Sequence, residues 1–217
     1  DSPNLRNSFV IPAKWPTLLN QSDLDFAYGY RTQSFVIASN LADTAQKAAL
    51  IMGVQPHVEP VLSSLSKNIV QGRYLQSQDT NAVVIGVDLA EKLGVKIGDK
   101  IQILGEDRQA SLAIDLVTIV GLFDIGLDQL NNQLMQMPLA SFQELFGMQN
   151  RSQQLVFTSA NLADTEQIHH QLFAPLQAQT DQTLRWLDWQ SLQPQLAQAI
   201  ELDLTSAIIF YGVLLAI

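Results

Sequence analysis

Short apolar runs alternate with polar segments over residues 68–105, and this alternation predicts a strand, a helix and a second strand in succession. Residues 83–86 form a short β-branched run, which favours a strand covered on both faces. A helix of about one and a half turns follows over residues 88–93. In residues 100–104, isoleucines alternate with polar side chains, as they do in a half-buried strand.

Capping and turn residues mark the ends of these elements. Asp88 is placed to accept hydrogen bonds from the first amides of the helix, and Glu91, three residues on, completes a capping-box pattern. Gly94 stands where a left-handed residue commonly ends a helix. Gly98 and Asp99 then turn the chain into the second strand.

Aromatic and polar residues alternate over residues 26–39, which we interpret as a pair of strands with a bulge or kink at Gly29. The remaining elements follow from the same patterns, with residues 124–132 as a loop. We predict strands at 9–11, 45–54, 112–123, 133–137, 151–158 and 183–189, and helices at 15–19, 60–66, 138–147 and 161–176.

The last stretch of the chain, residues 204–217, contains no charged residue. A helix that spans a bilayer takes about 20 residues, so this run alone is equally compatible with a buried core helix. The chain starts at Asp1 and has no signal peptide, and we therefore expect a fragment excised from a longer protein. In that context we interpret residues 198–217 as the start of a transmembrane helix.

Composition narrows the class of function. The chain has 217 residues, of which 47% are hydrophobic and 15% are charged, so it can bury a core. Its net charge of −9 argues against a nucleic-acid partner, because phosphates attract clustered Lys and Arg. Without cysteine the chain can form neither a disulfide nor a thiolate metal site.

Candidate chemistry is sparse. His169 and His170 are adjacent on a predicted helix and cannot face one ion together, so we interpret them as a surface pair. Asp124 and Asp128 share a loop that lacks the other oxygen ligands of a calcium site. The frames of a phosphate loop and of a nucleophile elbow are missing. We therefore predict that the chain is not an enzyme and binds neither cofactor nor metal.

Two apolar groups are candidates for ligand contact. Trp186 and Trp189 could form a ligand platform, although core packing for one and anchoring at a membrane interface for the other is the simpler interpretation. The leucine- and methionine-rich residues 127–137 could accept varied partners, but we expect most of them in a sheet core.

Several motifs, in order along the chain, resemble those of one transporter family. The central stretch reads G-R-Y-L, an apolar strand ending in Gly, and L-A-x-K-L-G-V-K-x-G-D-x-I, followed by V-T-I-V-G-L-F, L-M-Q-M-P-L and F-Q-E-L-F-G. This order resembles the periplasmic core domain of MacB-like ABC-transporter permeases, which are FtsX-like, and most closely the lipoprotein-releasing branch of LolC and LolE. The residues that carry the resemblance are Gly72, Arg73, Gly86, Asp88, Gly94, Gly98, Asp99, Gly121 and Pro138.

The resemblance implies an α+β fold in two parts. A discontinuous βαβ-type porter subdomain would comprise residues 1–67 and 151–197. A small β-rich, sabre-like subdomain would be inserted between them at residues 68–150. The motif residues would have a structural role.

The resemblance also implies a function. The domain would lie on the periplasmic side of a bacterial inner membrane and couple ATP hydrolysis to the export or release of an amphiphilic substrate, such as a lipoprotein or lipid. Its partners would be a separate cytoplasmic ABC ATPase subunit, a second permease copy or homologue, a periplasmic carrier or adaptor, and the membrane at its C-terminal end. The alternative is a soluble extracytoplasmic ligand-binding or adaptor module without a transport role.

Overall fold

The structure is a computed structural model that describes residues 4–42 and 44–192, and the chain divides into two compact units, Asp1–Asp164 and Thr165–Ile217. The predicted α+β class is confirmed. The described strands are β1 (Phe9–Val10), β2 (Ala27–Asn40), β3 (Gln46–Val54), β4 (Ile69–Gly72), β5 (Ala82–Gly86), β6 (Lys100–Glu106), β7 (Leu112–Phe123), β8 (Leu134–Pro138), β9 (Arg151–Ser152) and β10 (Gln154–Thr158). The described helices are α1 (Trp15–Asn20), α2 (Glu59–Leu62), α3 (Val87–Leu93), α4 (Asp128–Asn131), α5 (Leu139–Leu145), α6 (Leu162–Gln177) and α7 (Trp189–Leu192), with a 3-10 helix at Leu65–Asn68.

Six strands of the first unit close into a ring. Around it, β2 pairs with β3, β3 with β8, β8 with β5, β5 with β7, β7 with β6, and β6 with β2 again. The β3–β8 and β5–β7 pairs are parallel and the other four are antiparallel. Closure gives each ring strand a partner on both sides, which removes the free edges of an open sheet.

The inside of the ring is the main hydrophobic core. Strand residues alternate between the two sides, so that Val36 and Ala38 of β2 point inward while Phe35 and Ile37 point outward. From α3 and α5, leucine and phenylalanine side chains pack against the same core. Its members with the least exposure include Ala38, Ile51, Val83, Ile85, Leu89, Leu93, Ile101, Val117, Ile119, Met135, Phe142 and Phe146.

A second cluster covers part of the outside of the ring. Leu65 and Leu75, from the segment that leads into and out of β4, pack on Val84 of β5 and Leu134 of β8. Phe123, the last residue of β7, completes this cluster and is fully buried. The outward faces of β2, β6 and the first half of β7 lie outside it.

In the second unit, the predicted helical stripe is confirmed. Ile168, Leu172 and Leu176 of α6 are all buried. The strand predicted at residues 183–189 is wrong, because residues 183–188 have no regular secondary structure and α7 begins at residue 189. Instead of a strand partner, the backbone amide of Leu184 uses the side chain of Gln177, to which it donates at 2.8 Å.

The strand pair predicted over residues 26–39 is also wrong, since β2 is one continuous strand of 14 residues. Its alternation is unbroken, and its partner changes from β10 to β3 at about Thr32 without any turn. Gly29 is not a kink but a close approach to α2, because a Cβ there would lie 2.6 Å from Leu62 Cδ1. Gly29 therefore lies where a neighbouring helix approaches the strand closely, and not at a bend.

Smaller corrections concern helix starts. The predicted cap at Asp88 is wrong, because Gly86 is the N-cap of α3 and no side chain caps it. Asp88 lies within the first turn, where its charge still favours the positive end of the helix dipole. The predicted loop at 124–132 contains α4, and the predicted strand at 151–158 is divided into β9 and β10.

Among residues 4–42 and 44–192, no helix is long and apolar enough to cross a membrane. The predicted start of a transmembrane helix at residues 198–217 lies outside the described residues. The division into a porter-like part at residues 1–67 and 151–197 and a sabre-like part at residues 68–150 stays a prediction.

Candidate functional site

Three motif residues meet where β4 pairs with β7. A Cβ on Gly121 would lie 2.2 Å from the carbonyl oxygen of Arg73, and a Cβ on Gly72 would lie 2.3 Å from that of Val120. The Arg73 amide donates to the Val120 carbonyl at 2.9 Å. Because the backbones are this close, only glycine fits at both positions, and Gly72 also has a positive φ of 73°.

The Arg73 side chain closes the turn that follows. Its guanidinium donates to both carboxylate oxygens of Asp79, at 2.7 and 2.8 Å. Asp79 also accepts the backbone amide of Gln76 at 2.8 Å. The hydrogen bonds from Arg73 hold the pKa of Asp79 below its usual range. Since Arg73 is occupied in this way, we assign it to the turn rather than to a ligand.

The segment between α3 and β6 forms hydrogen bonds with the neighbouring part of β7, at Ile119. Gly94 ends α3 in the left-handed conformation predicted for it, with φ of 66°. The Gly98 amide donates to the Ile119 carbonyl, and the Ile119 amide donates to the Asp99 carbonyl, each at 2.9 Å. The Asp99 side chain accepts the amide of Lys96 at 2.9 Å.

The remaining motif residues lie at helix starts. Gly86 precedes α3 and Pro138 precedes α5, each as the last residue of a strand. Neither carries a chemically reactive group. A structural role for the motif residues, rather than a place in a reactive centre, stays a prediction.

The loop that contains Asp124 and Asp128 is held by hydrogen bonds from amide groups of nearby residues. Asp124 accepts hydrogen bonds from the Gly126 amide at 2.9 Å and from the Asn131 side chain at 2.7 Å, and these bonds lower the pKa of Asp124. Asp128 lies in the first turn of α4. Within the described part of the chain, no group of three or more His, Asp or Glu residues is placed to bind a metal ion.

The second unit contains an aromatic cluster. The His169 ring stacks on Trp186 with ring centroids 4.8 Å apart, and Phe173 lies 5.3 Å from His169. His170 is exposed, with its ring centroid 5.6 Å from that of His169. The interpretation as a surface pair therefore holds for His170, while His169 is half-buried against a tryptophan.

One exposed apolar feature was not predicted from the sequence. It lies on the outward faces of three neighbouring ring strands, and we call it the outer patch. Ile37 stands opposite Leu104, which stands opposite Ile114, so one row crosses all three strands. Its members are Phe35 and Ile37 of β2, Leu104 of β6, and Leu112, Ile114 and Leu116 of β7.

The exposure of the outer patch is unusual for a soluble surface. Phe35 is 55% exposed, Leu112 69% and Ile114 49%. Soluble monomers rarely expose contiguous apolar areas of this kind unless the area binds a partner or ligand. The sequence signal was available, since β2 and β7 carry apolar residues on both faces although only one face lines the core.

Comparison with known proteins identifies a family that this chain matches. Residues 9–173 match the model of the MacB-like periplasmic core domain. No curated protein sequence matches the chain. The periplasmic region of MacB from Actinobacillus actinomycetemcomitans is similar in structure, with a TM-score of 0.58, 14% identity, and coverage of 89% of this chain and 84% of that chain.

The extracellular domain of the ABC-type transporter YknZ from Gram-positive bacteria is also similar. Its TM-score is 0.55 at 17% identity, over 76% of this chain and 79% of that chain. At such low identities, these two structures establish the shared fold alone.

Proposed function

This chain belongs to the family of MacB-like periplasmic core domains, the extracytoplasmic domains of ABC-transporter permeases, and from that premise we propose that it couples ATP hydrolysis to the release of an amphiphilic substrate. Hydrolysis takes place on a separate cytoplasmic ATPase subunit of the same transporter. The substrate has an acyl or similarly apolar part, as a lipoprotein or lipid does. In this proposal, the domain lies on the periplasmic side of a bacterial inner membrane.

The observation that carries the proposal is the outer patch. Its six side chains are uncharged, and five of them, all but Leu104, are exposed although the chain carries a net charge of −9. Each methylene of an alkyl chain that leaves water on binding contributes about 0.8 kcal/mol. A broad apolar surface therefore suits the apolar part of an amphiphile, whose polar part remains in water.

The edges of the outer patch fit the same kind of ligand. Glu106 stands opposite Leu112, and Gln102 stands opposite Leu116, so polar side chains flank the apolar row. A polar rim around an apolar centre is the common layout of binding surfaces. It orients an amphiphile with its head group toward the rim.

The closed ring suits a mechanical role. Strands that are paired on both sides resist bending, so a displacement applied at one end moves the whole ring. In this proposal, movement of the membrane helices carries the ring toward or away from that of a second permease copy or homologue. Covering the outer patch displaces the substrate toward a periplasmic carrier or adaptor.

We expect the double substitution of Phe35→Thr and Ile114→Thr to slow substrate release at least about tenfold. Threonine is β-branched and therefore suits a strand, but it removes most of the apolar surface. Release of a fluorescent diacyl lipopeptide from proteoliposomes containing the reconstituted transporter and ATP measures the effect. The free energy of unfolding is expected to change by about 0.5 kcal/mol or less, as is usual for surface positions.

Val70 provides the matched control. It lies on strand β4, is 56% exposed and is outside the outer patch, so Val70→Thr makes the same kind of exchange elsewhere on the surface, with a smaller loss of apolar area. The control is expected to release substrate at the wild-type rate. Wild-type release by the double variant, or release that does not depend on ATP, contradicts the proposed function.

A further inference from the structure

A cleft separate from the outer patch lies beside the first half of β2. It has a volume of about 410 Å³, within the range of about 300–1,000 Å³ that is usual for ligand pockets. Helix α1 contributes Pro16, and the turn after β3 contributes Gln55, His57 and Val58. The other lining residues are Phe26, Ala27, Tyr28 and Tyr30.

The aromatic side of the cleft is a ladder of three rings. Phe26, Tyr28 and Tyr30 alternate along the chain and share one face, with centroid distances of 6.3 Å for both successive pairs. Phe26 is supported from behind by Phe157 of β10 at 5.6 Å. Rings fixed in this way present a rigid apolar surface that loses little conformational entropy when a ligand binds.

Two polar side chains of the cleft, Gln55 and Tyr30, offer hydrogen-bond donors, beside the imidazole of His57. Gln55 Oε1 accepts the Tyr30 backbone amide at 2.8 Å, which fixes the side-chain amide and leaves its Nε2 group as a donor. The Tyr30 side chain is only 6% exposed, and its hydroxyl has no hydrogen-bond partner among the described residues. A buried hydroxyl without a partner costs about 1–3 kcal/mol, so this group calls for an explanation.

The protonation state of Tyr30 supports the same reading. Burial raises the pKa of the Tyr30 hydroxyl, which therefore remains a proton donor at any physiological pH. The neighbouring Tyr28 hydroxyl differs, because it already donates to Asn20 Oδ1 at 3.2 Å. The lining contains no Asp, Glu, Lys or Arg, although the chain as a whole carries a net charge of −9.

We propose that this cleft binds an extended, uncharged, proline-containing peptide segment of a partner protein. A polyproline II segment has no internal hydrogen bonds, so its carbonyl groups are free to accept from Gln55 and Tyr30. Its proline rings pack on flat aromatic side chains, which is how aromatic-lined grooves recognise such peptides. An acyl chain would leave these donors unpaired. The inference goes beyond the proposed function and does not depend on it.

The test is a calorimetric titration of the full 217-residue chain with acetylated, amidated decaproline, which is uncharged and adopts this conformation. Saturable binding is expected, with an affinity at least about tenfold above that of a flexible Gly-Ser decamer with the same end groups. Tyr30→Phe is expected to weaken decaproline binding at least about fivefold while leaving the protein as stable as the wild type or more so. If Tyr30 had only a structural role, Tyr30→Phe would not weaken binding while leaving stability unchanged or higher.

Tyr74→Phe is the matched control. The Tyr74 hydroxyl donates to Gln136 Oε1 at 2.7 Å and is not part of the cleft, so its removal should lower stability and leave affinity unchanged. The proposal is overturned if decaproline shows no saturable binding, or if Tyr30→Phe binds it as tightly as the wild type. Tighter binding of neutral maltohexaose than of decaproline would also overturn it, since the cleft would then be a sugar site.

Discussion

Replacing Gly121 with alanine is expected to destabilise the first unit by about 3 kcal/mol or more, because the added methyl group meets backbone rather than a movable side chain. The new Cβ would lie 2.2 Å from the Arg73 carbonyl oxygen and 3.0 Å from Val84 Cγ1. Relief of this clash requires β4 to separate from β7. Equilibrium unfolding in urea, followed by circular dichroism, measures the loss.

Gly94→Ala is the control for this substitution. Gly94 has a positive φ of 66°, but nothing lies within 4 Å of a Cβ placed there. Its replacement therefore carries only the left-handed penalty, about 1–2 kcal/mol. Equal losses in the free energy of unfolding at the two positions would show that β4 and β7 are not packed as tightly around Gly121 as described above.

Glu59→Ala is expected to cost about 3–5 kcal/mol, because it breaks a buried ion pair and leaves one partner uncompensated. Arg31 donates to the two carboxylate oxygens of Glu59 at 3.0 and 2.7 Å, and Ser63 donates to one of them at 2.9 Å. The Glu59 side chain is 1% exposed and that of Arg31 is 18% exposed. The same urea titration measures the effect.

Two further variants separate the lost pair from a general loss of packing. The double substitution Arg31→Met with Glu59→Met removes both charges and is expected to recover most of the stability, since apolar replacements of buried pairs are often neutral. Asp79→Ala breaks the more exposed pair with Arg73, in which the Arg73 side chain is 43% and the Asp79 side chain 9% exposed, and is expected to have a smaller effect. If Glu59→Ala lowers the free energy of unfolding no more than Asp79→Ala does, the buried Arg31–Glu59 pair does not have the importance given to it here.

Local patterns predicted much of the fold because the forces that set them are local. Apolar runs located β5 and all of β7, and Gly94 was identified as a helix end from its place after an apolar helix. The motif residues revealed the family for a related reason. Their order along the chain carried the resemblance, and two of the glycines, Gly72 and Gly121, lie where neighbouring backbones leave no room for a Cβ.

Features that depend on distant contacts could not be predicted in this way. Closure of the ring requires β2 to pair with β6, which brings Asn40 opposite Ile101 although three strands and two α-helices lie between them along the chain. The outer patch was missed because an apolar run on both faces usually indicates a strand covered on both sides. That rule holds for β5, which the Leu65–Leu75 region covers, and fails for the exposed half of β7.

The aromatic cleft was missed because β2 was predicted as two strands. The predicted bulge or kink at Gly29 would have disturbed the alternation between Tyr28 and Tyr30, whereas one continuous strand aligns them on the same face. The buried Tyr30 hydroxyl could not be identified from sequence at all, since its burial depends on how the surrounding elements pack.

The most direct test of the central claim, that this is the extracytoplasmic domain of a permease, uses cysteine labelling. The chain contains no cysteine, so a single one can be introduced at exposed Gln109, in the turn between β6 and β7, in the complete permease freed of its other cysteines. The control is Ala38→Cys, at a position inside the ring that is 0% exposed. The cells have a permeabilised outer membrane and an intact inner membrane.

A membrane-impermeant maleimide is expected to label Gln109→Cys in these cells and to label Ala38→Cys only after denaturation. Labelling of Gln109→Cys that appears only once the inner membrane has been broken would place the domain in the cytoplasm and contradict the account.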